Sequence, residues 1–104
     1  RVGILEVLGG EKHTIKPGEE SKEYFALRIL DSSATPLEKI PVEFNVRSLD
    51  TPVEQTLIKM SVFTDDQGLA KVKVSAPPKK GHYEIIASPL GASGKKVRFT
   101  FDVK

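Results

Sequence analysis

Two antiparallel sheets packed face to face are what this sequence predicts, and three observations carry the prediction. Apolar residues recur at every second position in short runs, the period of a half-buried strand, while no window of about a dozen residues keeps a helical repeat of about 3.6. Clusters of Gly, Pro, Asp and Ser separate those runs at the spacing that β-sandwiches use. The chain has 104 residues and no cysteine, so it has room for one core and must hold it by packing rather than by disulfides.

The first strand is expected over residues 4–8, ending at the Gly9-Gly10 pair, with a polar stretch and the Lys16-Pro17-Gly18 turn behind it. Residues 24–30 send Phe25, Leu27 and Ile29 to one face and Arg28 to the other. Residues 31–36 turn, because Asp and Ser side chains bond nearby backbone and Pro36 stops pairing. Val42, Phe44 and Val46 alternate with Glu43 and Asn45, and Asp50-Thr51-Pro52 breaks that run. Over 56–64, Ile58, Met60 and Val62 share a face, although Leu57 and Phe63 blur the pattern. Asp65-Asp66-Gln67-Gly68 forms a hairpin loop, with glycine where a positive φ is needed. Ala70, Val72 and Val74 make the next row, Tyr83, Ile85 and Ala87 the one after, and Val97, Phe99, Phe101 and Val103 the last. About seven strands result. A closed barrel would satisfy the same alternation.

Composition narrows the function. A hydrophobic fraction of 38% beside 29% charged residues belongs to a folded chain rather than a disordered one. No apolar run approaches the roughly 20 residues of a membrane-spanning helix, so direct membrane insertion is not expected. The net charge of +2 comes from interspersed Lys and Glu, without the one-sided basic cluster that counterion release from nucleic acid requires. Both ends of the chain read as strand, which marks an expected excision from a longer, multidomain protein.

Gly81-His82-Tyr83-Glu84-Ile85 is the sharpest local mark. In immunoglobulin-like sandwiches a tyrosine opening the penultimate strand bonds its hydroxyl back to the backbone, and the second cysteine lies two residues on. Ile85 stands there in this chain, an apolar filler where the disulfide would be. A tyrosine that simply tops a strand is the plainer alternative. With the corner, the fold class becomes an Ig-like β-sandwich of about seven antiparallel strands without a disulfide.

Several motifs in order then resemble a known family. Leu5-Glu6-Val7-Leu8-Gly9-Gly10 with Lys16-Pro17-Gly18, Leu27-Arg28-Ile29-Leu30-Asp31, Pro41-Val42-Glu43-Phe44 and Thr64-Asp65-Asp66-Gln67-Gly68-Leu69-Ala70 follow one another. This series resembles the bacterial Ig-like domain of group 1, the repeat of invasin- and intimin-type adhesins. The likeness spans nearly the whole chain and departs from the family at two places. Ala34 stands where family members usually carry Gly, and residues 47–55 run longer than usual. Pro78-Lys79-Lys80-Gly81-His82-Tyr83-Glu84-Ile85 is also similar to macroglobulin-type domains of large protease inhibitors, a sandwich of the same kind.

Catalytic chemistry is not expected. The serines sit in strands or turns, none in a nucleophile-elbow context, and Glu19-Glu20 beside a Pro-Gly turn reads as a solvated pair. His13 and His82, each expected in a polar loop, are the only histidines and too few for a transition-metal site. Asp31, Asp65 and Asp66 lack the spacing of a calcium loop and read as turn formers. No cofactor, metal or catalytic residue is therefore assigned. Lys79-Lys80 and Lys95-Lys96 are expected at opposite ends of the sandwich. An isopeptide bond would have only Asn45 as its amide, which alternates outward.

The resemblance implies a non-catalytic spacer of a bacterial surface or secreted protein, extracellular and supporting adhesion or protein binding. Neighbouring domains of the same chain are the expected partners, an isolated copy being a monomer. The residues expected to matter are core and corner ones, Phe25, Leu27, Phe44, Val72, Tyr83, Ile85, Phe99 and Phe101, with Asp65 and Gly68 in the turn. If the domain binds a protein ligand itself, residues 47–55 and the loop with Lys79, Lys80 and His82 are the candidate surfaces.

Overall fold

A computed structural model describes residues 2–9 and 13–104, and Gly10 of the expected Gly9-Gly10 pair lies outside the described residues. Alternation becomes eight strands: β1 (Ile4–Val7), β2 (His13–Ile15), β3 (Phe25–Leu30), β4 (Pro41–Ser48), β5 (Ile58–Phe63), β6 (Leu69–Val72), β7 (Gly81–Pro89) and β8 (Val97–Val103). They form a three-stranded sheet in the order β1-β3-β6 and a five-stranded sheet in the order β2-β8-β7-β4-β5. The order β8-β7-β4 faced by β3-β6 is that of the immunoglobulin sandwich, with β5 bonded to β4 as an added edge strand. The chain is an all-β, Ig-like sandwich.

β2 corrects the expected strand set in two ways. His13-Thr14-Ile15 lies within the stretch read as a polar connection, yet it pairs with Phe101-Asp102-Val103 of β8, and the pairing is parallel. Three residues are too few to show a period. What places them is Ile15, 5% exposed in the core, and His13, whose ring lies 4.2 Å from that of Phe25. His13 is thus half-buried against the core rather than set in a polar loop, and burial pushes its pKa down, against the raising effect of Glu23.

Inward rows from both sheets make one core. Phe25, Leu27 and Ile29 from β3 meet Phe44 and Val46 from β4, Ile85 from β7, and Phe99 and Phe101 from β8, all 3% exposed or less. Phe25 sits edge-on to Phe99 at 5.7 Å and tilted on Phe101 at 5.9 Å, while Tyr83 stacks on Phe101 at 5.4 Å. Those geometries add to the area each ring buries. Two buried hydroxyls close the seams where the chain changes sheets. Thr64 Oγ1 accepts the Ile40 N–H at 2.8 Å and donates to the Leu37 carbonyl at 2.7 Å. Ser21 Oγ accepts the Val74 N–H at 3.1 Å and donates to the Glu23 carbonyl at 3.0 Å.

β1, β4 and β7 begin or end so as to leave loops at two poles. One pole gathers the connections β3–β4, β5–β6 and β7–β8; the other gathers β2–β3, β4–β5 and β6–β7. Lys79 and Lys80 precede β7 while Lys95 and Lys96 follow it, so the two lysine pairs do lie at opposite poles.

Candidate functional site

At the pole where β7 starts, the two connections singled out from the sequence come together. β4 continues to Ser48, so the longer connection is residues 49–57. Its Leu49 N–H bonds the His82 carbonyl at 2.8 Å, and Asp50 accepts the His82 N–H through Oδ2, also at 2.8 Å. Asp50 is held in turn by its own N–H on Ser48 Oγ at 3.0 Å. Gly81 makes the approach possible, because its φ is +153° and a Cβ there would run into Asp50 Oδ2.

Tyr83 anchors the second connection. Its hydroxyl donates to the Lys79 carbonyl four residues upstream, the bond that defines a tyrosine corner, and burial pushes its pKa up, as does the Asp50 charge. Between the two connections opens a cleft of about 250 Å³. Ser48, Thr51, Gln55, Leu57, Pro77, Pro78, Lys79 and Tyr83 line it. Its exposed walls are mostly apolar, and on one side two prolines and a pinned tyrosine leave few rotamers to order on binding. Lys79 lies at this cleft and Lys80 is exposed beside it, whereas Asp65 and Gly68 sit at the other pole.

Beside the cleft, on the outer face of the larger sheet, lies a charge cluster that pattern reading missed. Glu84 is 1% exposed although it points away from the core, because Arg47 of β4 and Arg98 of β8 lie over it and each donates through Nε to one of its oxygens. Arg47 also reaches Glu54 at 2.9 Å. Burial pushes the Glu84 pKa up, but the bonds from Arg98 and Arg47 outweigh it and hold the carboxyl below its ordinary range. His82, expected in a loop, opens β7 instead, its Nδ1 2.7 Å from Asp102 Oδ1. That bond, with the charges of Asp102 and Asp50, raises its pKa. The signal for both pairs lies in register, since Arg47 stands opposite Glu84 and His82 opposite Asp102, and register cannot be read before the strands are paired.

The remaining aspartates close turns. Asp65 Oδ1 accepts the N–H groups of Gln67 at 2.8 Å and Leu69 at 3.0 Å, which hold its pKa down. Asp31 Oδ1 likewise accepts the N–H groups of Ser33 and Thr35. Among the described residues no group of three His, Cys, Asp or Glu is placed to hold a metal ion. Asn45 Nδ2 bonds Glu43 on the outer face at 3.1 Å, and Lys59 opposite it is 62% exposed.

No family model matches the chain, and no curated protein matches it. Among solved structures it is similar to the soluble domain of PmoD from Methylocystis sp. ATCC 49242 (Rockwell). That match has a TM-score of 0.52 and 19% identity, over 88% of this chain and 77% of that one. A likeness at this identity speaks to the fold, a β-sandwich, and to nothing finer.

Proposed function

We propose that this domain is a non-catalytic spacer of a bacterial surface or secreted protein, holding its neighbours a fixed distance apart. The observation that carries the reading is the path of the chain. It enters the sandwich at one pole, where Gly3 N–H bonds the Leu30 carbonyl at 2.8 Å and Lys95 Nζ bonds the Gly3 carbonyl at 2.8 Å. It leaves at the other, where Lys104 N–H bonds the Ile15 carbonyl at 3.1 Å. The body between has a longest extent of 42 Å. Gly3 and Lys104 are tied to sheet backbone, so force or position at one pole is passed to the other through paired strands. The adhesin-repeat motifs of the sequence support the same reading, and extracellular placement is part of it.

The test joins two compact reporter domains through this chain and compares them, by small-angle scattering, with the same reporters joined by a Gly/Ser linker of equal length. A spacer gives one narrow separation set by the domain's 42 Å long axis, against the broad spread of a coil whose mean span at equal length is about 50–60 Å. A spread as broad as the linker's overturns the reading. A second reading, binding through the loops, is favoured by one observation, the cleft between residues 49–57 and the β6–β7 connection. Replacing residues 51–55 with Gly/Ser and finding capture of a surface partner unchanged would remove it.

A further inference from the structure

Every residue of the connection 49–57 is exposed, and Val53 at its middle is 67% so. Its ends are held: Leu49 N–H bonds the His82 carbonyl, Asp50 N–H bonds Ser48 Oγ, and Leu57 N–H bonds the Val46 carbonyl at 2.7 Å. Its middle is not. Among the described residues no backbone N–H over 51–56 makes a hydrogen bond, and Thr51 Oγ1 reaches the Val53 carbonyl only at 3.3 Å. Other exposed connections are tied internally. After β3, Asp31 N–H bonds the Thr35 carbonyl at 2.9 Å and Ala34 N–H bonds the Asp31 carbonyl, while Asp31 Oδ1 holds Ser33 and Thr35. After β7, Lys95 N–H bonds the Ala92 carbonyl at 3.1 Å, and Ala92 is 3% exposed. An endopeptidase must draw several residues of chain into its own cleft, so it cuts where side chains are exposed and the backbone is unbonded.

We infer that the Val53–Glu54 bond is a built-in site of limited proteolysis, cut by an endopeptidase of aliphatic specificity without parting the domain. The residues present choose the class of enzyme. No Lys or Arg stands between 49 and 57, so proteases that need a basic residue have no bond to cut there. Glu54, the one glutamate in the stretch, is tied to Arg47 at 2.9 Å. Leu49 and Leu57 stand at the bonded ends, which leaves Val53 for the small apolar specificity pocket of an elastase-type enzyme. Water supplies the oxygen of the new Val53 carboxylate, and the Glu54 nitrogen leaves as the new amino terminus. The pieces stay together because they interleave. Residues 1–53 carry β1 to β4 and residues 54–104 carry β5 to β8. Among the described residues four of the six ladders, β2–β8, β3–β6, β4–β5 and β4–β7, join one piece to the other. In a spacer the consequence is mechanical: an uncut copy that unfolds under load remains one chain, whereas a cut copy parts. That consequence rests on the spacer reading; the cut site does not.

Brief digestion of the folded chain with an elastase, read by intact mass, tests it. The expected first products are residues 1–53 and 54–104, which elute together from a sizing column and keep the amide spectrum of the uncut protein. Val53→Asp puts a charge into the enzyme's apolar pocket and should slow the first cut by at least about tenfold. Val53→Lys should move the site to trypsin, giving a first tryptic cut after position 53 that the wild type lacks. The side chain is exposed, and the amide spectrum of each variant reports its folding. A first cut after Ala34 or Leu90, or an unchanged rate in Val53→Asp, overturns the site. Pieces that separate on the column overturn the retained assembly. With the chain fused between the reporters of the scattering test, a narrow separation and a first cut elsewhere overturn the cut site alone. A broad separation with the first cut after Val53 overturns only the spacer reading.

Discussion

Ala34 has a φ of +65°, a conformation that costs an L-residue with a Cβ about 1–2 kcal/mol. It closes the turn after β3, where its N–H bonds the Asp31 carbonyl at 3.0 Å. The sequence already set this position apart, as an alanine where the resembling family carries glycine, and the backbone shows why glycine would suit it. Ala34→Gly is therefore expected to raise stability by about 0.5–1 kcal/mol, part of the relieved strain being returned as unfolded-chain entropy. Chemical denaturation measures it, and a loss would mean that the turn is not strained. The two histidines make a second residue-scale case. His82 has its pKa raised by Asp102 and His13 has its own lowered by burial. His82 therefore lends stability below about pH 6.5 that fades as pH rises through its folded pKa. His13 works the other way, its contribution present above about 6.5 and lost as pH falls. Proton NMR should resolve one histidine midpoint on each side of 6.5. Two midpoints on the same side would refute the pairing, the burial or both.

Among the elements, strands whose faces differ were legible and those placed by partners were not. β3, β4 and β8 alternate buried with exposed or half-buried residues along nearly their whole length, and that contrast is written in the sequence. β2 is not, because its position depends on the β8 backbone and on the Phe25 ring, both distant in sequence. The same holds for the site. Tyr83 was readable from its place two residues before Ile85, while Glu84 between them looked like an ordinary outward residue until β4 and β8 brought two arginines over it. Glu84→Gln should lower stability by about 1–3 kcal/mol, below the 3–5 or so of a fully buried pair because both guanidinium groups still reach water. Since its folded pKa lies below the ordinary one, the stabilisation is complete above about pH 4.3 and is lost as pH falls through the folded value. The gap between wild type and variant should thus narrow in acid. A constant gap would place the effect in packing instead.

At the scale of the whole molecule, the chain's path decides how it bears load. A pull on the two ends draws β1 out at one pole and β8 out at the other, each along its own axis. β1 lies antiparallel to β3 and β2 parallel to β8, so in both ladders the pull slides one strand past its partner. Hydrogen bonds that cross between strands are then loaded together rather than one after another. β5 hangs on the far edge of the larger sheet and lies outside that path. Its loss would cost equilibrium stability with little effect on the force at which the domain yields. Ile15→Ala in β2 and Val62→Ala in β5 separate the two quantities. Both should destabilise at equilibrium, Ile15→Ala by about 2–4 kcal/mol and Val62→Ala by less because it is only half-buried. Single-molecule stretching through the chain ends should show a clear drop in unfolding force for Ile15→Ala and a force near wild type for Val62→Ala. Equal drops per unit of lost stability would mean that the sandwich yields as one undifferentiated body, and that the parallel β2–β8 ladder has no part in bearing the load.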